Sequence, residues 1–170
     1  MQVLNQFSLP ILGLEIGQYE YSFELNGEFF KAFEKSPFQS GSLVSKLRLE
    51  KKHDHLILDF DIDGHLNLEC NRCNDLIAFP VLTKFQVLIK YDLNEREEEE
   101  IVYINPESSE YNCSKIMYEA IILSLPLIRT CDEVKDKDCN SQVIKYLDSQ
   151  PEENKSENAL SNALKNLKLN

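Results

Sequence analysis

Apolar side chains recur at every second position in three runs of the first half of the chain, and this alternation restricts the fold more than any other feature. The runs cover residues 17–25, 43–49 and 56–62. Successive side chains of a β-strand point to opposite faces, so a period of two indicates strands with one buried face. The first half of the chain is therefore predicted to form a β-sheet with one apolar face.

A fourth alternating run, at residues 65–70, follows the third run after Asp63-Gly64. Asp-Gly between two strand-like runs is typical of a two-residue hairpin turn. The pattern thus predicts an antiparallel β-meander over residues 43–70, with Cys70 at the end of its last strand.

Helices are predicted mainly in the second half of the chain. Residues 114–125 place apolar side chains on one broad face, and a short helix follows Cys139. A short helix at 28–34 is the exception, and strands at 79–91 and 101–104 extend the sheet. The predicted fold class is α+β, an antiparallel meander or partly closed sheet with helices mainly in the C-terminal half.

The chain is expected to form one domain followed by a short tail. Residues 1–148 are predicted to be a single α+β domain, because 170 residues suit one compact core. Residues 149–158 are polar and include a proline, which indicates a linker. Leucines then recur at helical spacing, so residues 159–170 are predicted to form a short amphipathic helix.

The charge balance restricts the partners that this chain can bind. Acidic residues outnumber basic ones by 29 to 18, which gives a formal net charge of −11. Such a balance disfavours broad, non-specific contact with nucleic acid or with an anionic membrane. An RNA partner would therefore have to meet a local basic patch or be reached through another protein.

The sequence indicates a cytoplasmic protein. The N-terminus lacks the features of a signal peptide, and no run of about 18 apolar residues is present to span a bilayer. The 5 cysteines are an odd number, which does not suit a secreted disulfide framework. We therefore expect reduced thiols and no membrane partner.

Four of the cysteines are candidate metal ligands. Cys70 and Cys73 are two residues apart after a predicted strand, while Cys131 and Cys139 lie farther along with a polar segment between them. Structural zinc takes four ligands in a tetrahedron, and a Cys-x-x-Cys turn supplies one edge of it. The sequence favours one structural Zn²⁺ held by Cys70, Cys73, Cys131 and Cys139, or the remains of such a site.

Two other interpretations of the cysteines stay open. A redox pair usually places its first cysteine at a helix N-terminus within a βαβ unit, but Cys73 is followed by a predicted strand. The thiols could also be inert and simply packed. His65 is a substitute ligand in principle, although a surface position on the hairpin is favoured, and Cys113 is expected near the start of a helix.

No catalytic constellation is visible in the sequence. The chain contains neither a Gly-rich phosphate loop nor a His-Glu-x-x-His motif, and its carboxylates lack a nucleophile or histidine at diagnostic spacing. The acidic run at 95–100 is interpreted as a solvated loop. No enzymatic activity is predicted, and no small-molecule substrate is evident.

The order of three short motifs resembles a known bacterial family. Cys70-Asn71-Arg72-Cys73 follows a strand, Leu125-Pro126-Leu127 ends an apolar helix, and Cys131 and Cys139 come next, ahead of a leucine-rich C-terminal segment. This arrangement is similar to that of the YceD family, the large ribosomal RNA subunit accumulation proteins. The resemblance covers roughly residues 15–168. Many relatives carry a cysteine-rich ribbon at the third motif, where this chain has a shortened acidic loop.

The resemblance implies a role in the synthesis, processing or stability of large-subunit (23S) ribosomal RNA. The expected partner is precursor rRNA, a basic ribosomal protein, or both. Arg72, held between two cysteines, is the candidate contact to RNA or to that partner, and a salt bridge to Asp75 or Glu69 is its structural alternative.

Two alternative functions follow from other features of the chain. A metal-dependent rRNA-processing nuclease would use clustered carboxylates such as Glu97 to Glu100, and a Cys-x-x-Cys redox sensor would form a disulfide between Cys70 and Cys73.

Overall fold

The computed structural model describes residues 2–149 except 35, 39, 95, 99, 100 and 136. It confirms an α+β fold with most helices in the C-terminal half. The strands are β1 (Ser8–Pro10), β2 (Gly17–Asn26), β3 (Gly41–Lys51), β4 (His55–Glu69), β5 (Leu76–Tyr91), β6 (Arg96–Glu98), β7 (Ile101–Ile104) and β8 (Glu110–Asn112). The helices are α1 (Gly27–Lys31), α2 (Ser114–Ser124) and α3 (Ser141–Ser149), with 3₁₀ turns at Gln2–Phe7 and Cys131–Glu133.

The main sheet has six strands in the order β2-β3-β4-β5-β7-β6. The first four strands form the predicted antiparallel meander, whereas β5 and β7 pair in parallel. A separate two-stranded sheet pairs β1 with β8. Part of the acidic run at 95–100, interpreted from the sequence as a loop, instead forms the short edge strand β6, which pairs with β7.

The predicted hairpin turn at Asp63-Gly64 is wrong. β4 passes through both residues without interruption, and Gly64 pairs with Leu43 of β3 on one side and with Val81 of β5 on the other. The turn between the two longest strands lies farther along, at the cysteine pair. β4 and β5 therefore form one long hairpin with Cys70 and Cys73 at its tip.

The alternation of apolar and polar residues on either side of Asp63-Gly64 already argued against a turn there. A two-residue turn there would place Ile62 and His65 opposite each other on the same face, which would direct Leu66 away from the core. Ile62 and Leu66 are both buried, whereas His65 is exposed. The burial of even-numbered positions continues across the glycine, as it must in a single strand.

One face of the sheet is covered by the N-terminal turn and the first two helices. Phe29 of α1 packs edge-on against Phe7 of the N-terminal turn, with ring centroids 4.9 Å apart. Phe33, just after α1, stacks on Tyr118 of α2 at 4.0 Å. The Asn26 side chain caps α1 by accepting hydrogen bonds from two backbone N–H groups at its start. These contacts hold α2 against the sheet, just ahead of the segment that carries Cys131.

The predicted linker and C-terminal helix fall almost entirely on residues 150–170, which lie outside the described residues. The last described element, α3, includes Ser149. None of the helices in the described part of the chain is long and apolar enough to cross a membrane.

Candidate metal centre

The first cysteine pair is held by the turn that joins β4 to β5. The Cys70 N–H donates to the Asp75 carbonyl at 2.9 Å, and the Asn74 N–H donates to the Cys70 carbonyl, also at 2.9 Å. Asn74 has a φ of +61°, in the left-handed region that asparagine enters more readily than most side chains. The turn is therefore tight, and the thiols of Cys70 and Cys73 are both buried beneath it.

The second cysteine pair lies between α2 and α3. Cys131 begins a 3₁₀ turn and is buried, whereas Cys139 lies just before α3 and is half-buried. Asn71 joins the two halves of the site, because its N–H donates to the Arg129 carbonyl at 2.8 Å and its side-chain oxygen accepts from the Arg129 N–H at 2.7 Å. The hairpin tip and the second segment are thus attached to each other through Asn71, which brings the two cysteine pairs together.

The four sulfur atoms are arranged as a metal site requires. All four Sγ atoms lie within 4.8 Å of one another, with Cys73 and Cys131 3.6 Å apart and Cys70 and Cys139 3.9 Å apart. Four thiolates about 2.3 Å from a central zinc ion have sulfur–sulfur edges of about 3.8 Å. The separations of 3.6 and 3.9 Å match this edge, and both are far longer than the bond of about 2.05 Å in a disulfide. The sequence-predicted set comes together as one cluster that can bind a metal.

The environment of Cys70 favours its thiolate form. Burial alone would raise the pKa of this thiol, but backbone N–H groups of Cys73, Arg72 and Cys131 point at the sulfur and lower the pKa to about 6. The Arg72 N–H lies 3.4 Å from this Sγ. Burial and the neighbouring thiols raise the pKa of Cys131 instead. A cation at the centre of the cluster would favour the thiolate form of both Cys70 and Cys131, because metal-bound thiols are deprotonated.

Arg72 lies at the edge of the cluster. Its guanidinium forms a salt bridge with Asp132 at 2.9 Å, and the same nitrogen is 3.9 Å from the Cys139 sulfur. Both contacts raise the pKa of Arg72, with the hydrogen bond to Asp132 as the main cause. The carboxylate partner is therefore Asp132, not Asp75 or Glu69 as the sequence suggested. The side chain of Arg72 is still 46% exposed.

Other residues considered from the sequence lie away from the cluster. His65 is exposed on β4 and is not a member of the ligand group. Cys113 is buried just before α2, where burial raises its pKa. Both carboxylate oxygens of Glu97 accept from the Lys115 ammonium, at 2.8 and 3.1 Å.

Sequence reasoning missed the asparagines of the turn. Asn71 joins the two segments, and Asn74 provides the left-handed residue that reverses the chain. The signal was present, since asparagine is common both at left-handed positions and in turns that bind backbone groups. The contact between Asn71 and Arg129 could not be predicted from local sequence, because the two residues are far apart in the chain.

Replacing Asn71 by alanine should weaken metal binding by about tenfold, because groups that orient metal ligands typically contribute 10–100-fold to affinity. Competition with a chromophoric chelator measures this change. Asn67→Ala is the matched control, because Asn67 lies on the same hairpin but its amide contacts Ser40 instead. Equal affinities of the Asn71 and Asn67 variants would show that the link to Arg129 does not position the ligands.

Fold and site together define an α+β protein in which four cysteines cluster where the tip of a long β-hairpin meets the connection between two helices. A family model described as "Large ribosomal RNA subunit accumulation protein YceD" matches residues 58–168. This range is well over half of the chain, and the protein belongs to the YceD family. The match begins within β4, so β2 and β3 lie outside it, although the motif resemblance had suggested a start near residue 15. No curated protein and no solved structure matches the chain.

Proposed function

We propose that this protein is a non-enzymatic ribosome-biogenesis factor that supports the accumulation of large-subunit (23S) ribosomal RNA in the cytoplasm. The family description supports the connection to this RNA. The clustering of four thiols at the hairpin tip supports a binding role without catalysis. A rigid, cross-linked tip suits a binding surface better than a reaction centre, because all four ligand positions are protein sulfur.

Zn²⁺ is the metal that we assign to Cys70, Cys73, Cys131 and Cys139. Sites with four thiolates at tetrahedral spacing are typical of structural zinc, whereas catalytic zinc keeps one position open for water or substrate. Bound at this cluster, zinc would act as a cross-link between the β4–β5 turn and the segment leading to α3. The residues themselves orient the thiols, through the backbone N–H groups of the turn and the link from Asn71 to Arg129.

The charges around the cluster favour a protein as the direct partner. Residues 69–75 and 129–139 contain six acidic and four basic residues, so the hairpin tip is not a basic patch. Phosphate binding depends on clustered positive charge. Of the two partners that the sequence left open, a basic ribosomal protein therefore fits better than precursor rRNA. Arg72 is the contact that we propose at the rim, because its guanidinium is exposed and the Asp132 carboxylate paired with it can accept from a lysine or arginine of the partner.

The two alternative functions receive less support from the geometry. A metal-dependent nuclease would need free carboxylates, but Glu97, the glutamate of the acidic run whose side chain the structure describes, binds Lys115 through both oxygens. A redox sensor built on Cys70 and Cys73 alone would not require Cys131 and Cys139, whose sulfurs nevertheless lie within 4 Å of the first pair.

Depletion of the protein from growing cells should lower the ratio of 23S to 16S ribosomal RNA, and re-expression of the wild-type chain should restore it. Glu97→Gln should restore it equally well, because the proposed function assigns no catalytic role to the acidic run. Quantification of total RNA by electrophoresis measures both outcomes. An unchanged ratio on depletion would contradict the role in accumulation, and failure of Glu97→Gln alone would favour the nuclease.

A further inference from the structure

The solvent-facing side of β5 carries an apolar stripe next to the cysteine cluster. Leu76, Ala78, Pro80 and Leu82 occupy four successive outward positions, and the two leucines are 60% and 69% exposed. At about 3.4 Å per residue, the stripe is about 20 Å long. The positions that follow, Lys84 and Gln86, are polar again.

This stripe departs from the pattern of the same face elsewhere in the sheet. β2 places Gln18, Glu20, Ser22 and Glu24 at its outward positions, which is the expected polar side of a half-buried strand. A contiguous exposed apolar patch with a polar border is instead typical of a protein interaction site. Four apolar residues in succession on β5 are therefore not explained by the fold.

The backbone edge next to the stripe is also unpaired. β7 pairs with β5 only at residues 88–91, and no other strand among the described residues pairs with this edge over 76–87. Pro80 lacks an N–H, so a neighbouring chain could not form a continuous ladder there. The Lys137 ammonium donates to the Leu76 carbonyl, so one end of this edge is already covered by a side chain. These features favour a partner that packs on the outward side chains of the stripe over one that adds a strand to the edge of the sheet.

The surroundings of the stripe indicate the charge of its partner. On the adjacent strand β4, Asp63 lies opposite Leu82, and Glu69 lies opposite Leu76; both carboxylates are exposed. Two lysines also lie beside the stripe, but Lys84 is paired with Asp61 at 2.6 Å and Lys137 donates to the Leu76 carbonyl. A second copy of this chain would bring the same acidic border and another net charge of −11 against it. RNA phosphates would meet the same repulsion. A segment with apolar and basic side chains is complementary to both the stripe and its border.

We propose that the stripe formed by Leu76, Ala78, Pro80 and Leu82 is the docking surface for an extended, basic segment of a ribosomal protein. The class of partner rests on the proposed function, whereas the surface is inferred from exposure and charge alone. Apolar side chains of the segment pack on the two leucines, and its lysines or arginines contact Asp63 and Glu69.

Site-specific photocrosslinking of the full chain tests the surface. A benzophenone amino acid is placed at Leu82, and at Leu93 as a control that is 80% exposed but outside the stripe. The probes are total protein extracted from purified large ribosomal subunits, and the rRNA from the same subunits. We expect at least tenfold more crosslinked basic protein from position 82 than from position 93. Asp63→Lys with Glu69→Lys should reduce that yield about tenfold, while the matched reversal Glu20→Lys with Glu24→Lys should not.

Equal yields at the two positions, crosslinks to rRNA alone, crosslinks to a second copy alone, or an equal effect of the two charge reversals would each overturn the proposal. A Leu82→Lys variant separates this inference from the proposed function. If depletion lowers 23S rRNA but Leu82→Lys fully restores it, the docking surface is wrong and the function stands. If the crosslinks form as expected but depletion leaves 23S rRNA unchanged, the surface stands and the function is wrong.

Discussion

Cys73→Ser is expected to abolish stoichiometric zinc binding and to destabilise the fold. Cys73 is buried 3.6 Å from the Cys131 sulfur, so its loss leaves three thiols in a pocket shaped for four. Disrupting a buried charged cluster by removing one partner typically costs about 3–5 kcal/mol. For a chain of this length, that loss lowers the thermal midpoint by roughly 10 °C. Native mass spectrometry measures the bound metal, and circular dichroism during heating measures the midpoint.

Cys113→Ala is the matched control for the loss of a buried cysteine. Cys113 is as buried as Cys73 but is not a member of the cluster. This variant should retain one zinc per chain and lose only the packing of a small side chain, about 1 kcal/mol. Retention of zinc by Cys73→Ser, or its loss from Cys113→Ala, would contradict the assignment of the ligands.

Gly64→Ala should be among the most destabilising single-methyl changes in the protein. Gly64 has a φ of +151°, and a Cβ there would lie 2.3 Å from the Ser42 carbonyl oxygen and 2.6 Å from the Leu43 Cα. Both neighbours are backbone atoms of β3, so a side-chain rotation cannot relieve the overlap. Backbone strain and overpacking together predict a loss of about 3–5 kcal/mol in the free energy of unfolding. Chemical denaturation of the purified variant measures this loss.

Gly17→Ala is the control for the general cost of replacing a strand glycine. Gly17 begins β2, and no atom lies within 4 Å of the position that its Cβ would occupy. Its free energy of unfolding should change by less than about 0.5 kcal/mol, as for most surface substitutions. Similar losses for the two alanine variants would show that the close approach of β3 does not explain Gly64.

The sequence predicted the long strands of the meander because each has one buried face, whereas the short strands β1, β6 and β8 were not predicted. The alternation at 43–49 and 56–62 gave both the presence of β3 and β4 and the side of each that is buried. The error at Asp63-Gly64 came from weighing a local turn signal above that alternation. Gly64 is required because the backbone of β3 passes too close to leave room for a side chain. This close approach is not visible in the residues next to Gly64 in the chain.

The candidate ligands were predictable by residue type but not by spacing. Cys70 and Cys73 form a recognisable turn, whereas the separation of Cys131 and Cys139 is wider than in common zinc sites. What brings the second pair into place is tertiary: α2 packs against β5, and Asn71 binds the backbone at Arg129. The Arg72–Asp132 salt bridge depends on the same approach, which explains why nearer carboxylates were chosen from the sequence.

The most direct test of this account is the ratio of 23S to 16S rRNA in depleted cells that express either Cys73→Ser or Cys113→Ala at equal protein levels. If the zinc-linked hairpin tip is what supports accumulation, Cys113→Ala restores the ratio and Cys73→Ser does not. Full restoration by a Cys73→Ser protein that binds no zinc would contradict the account, because the cluster would then be dispensable for the function.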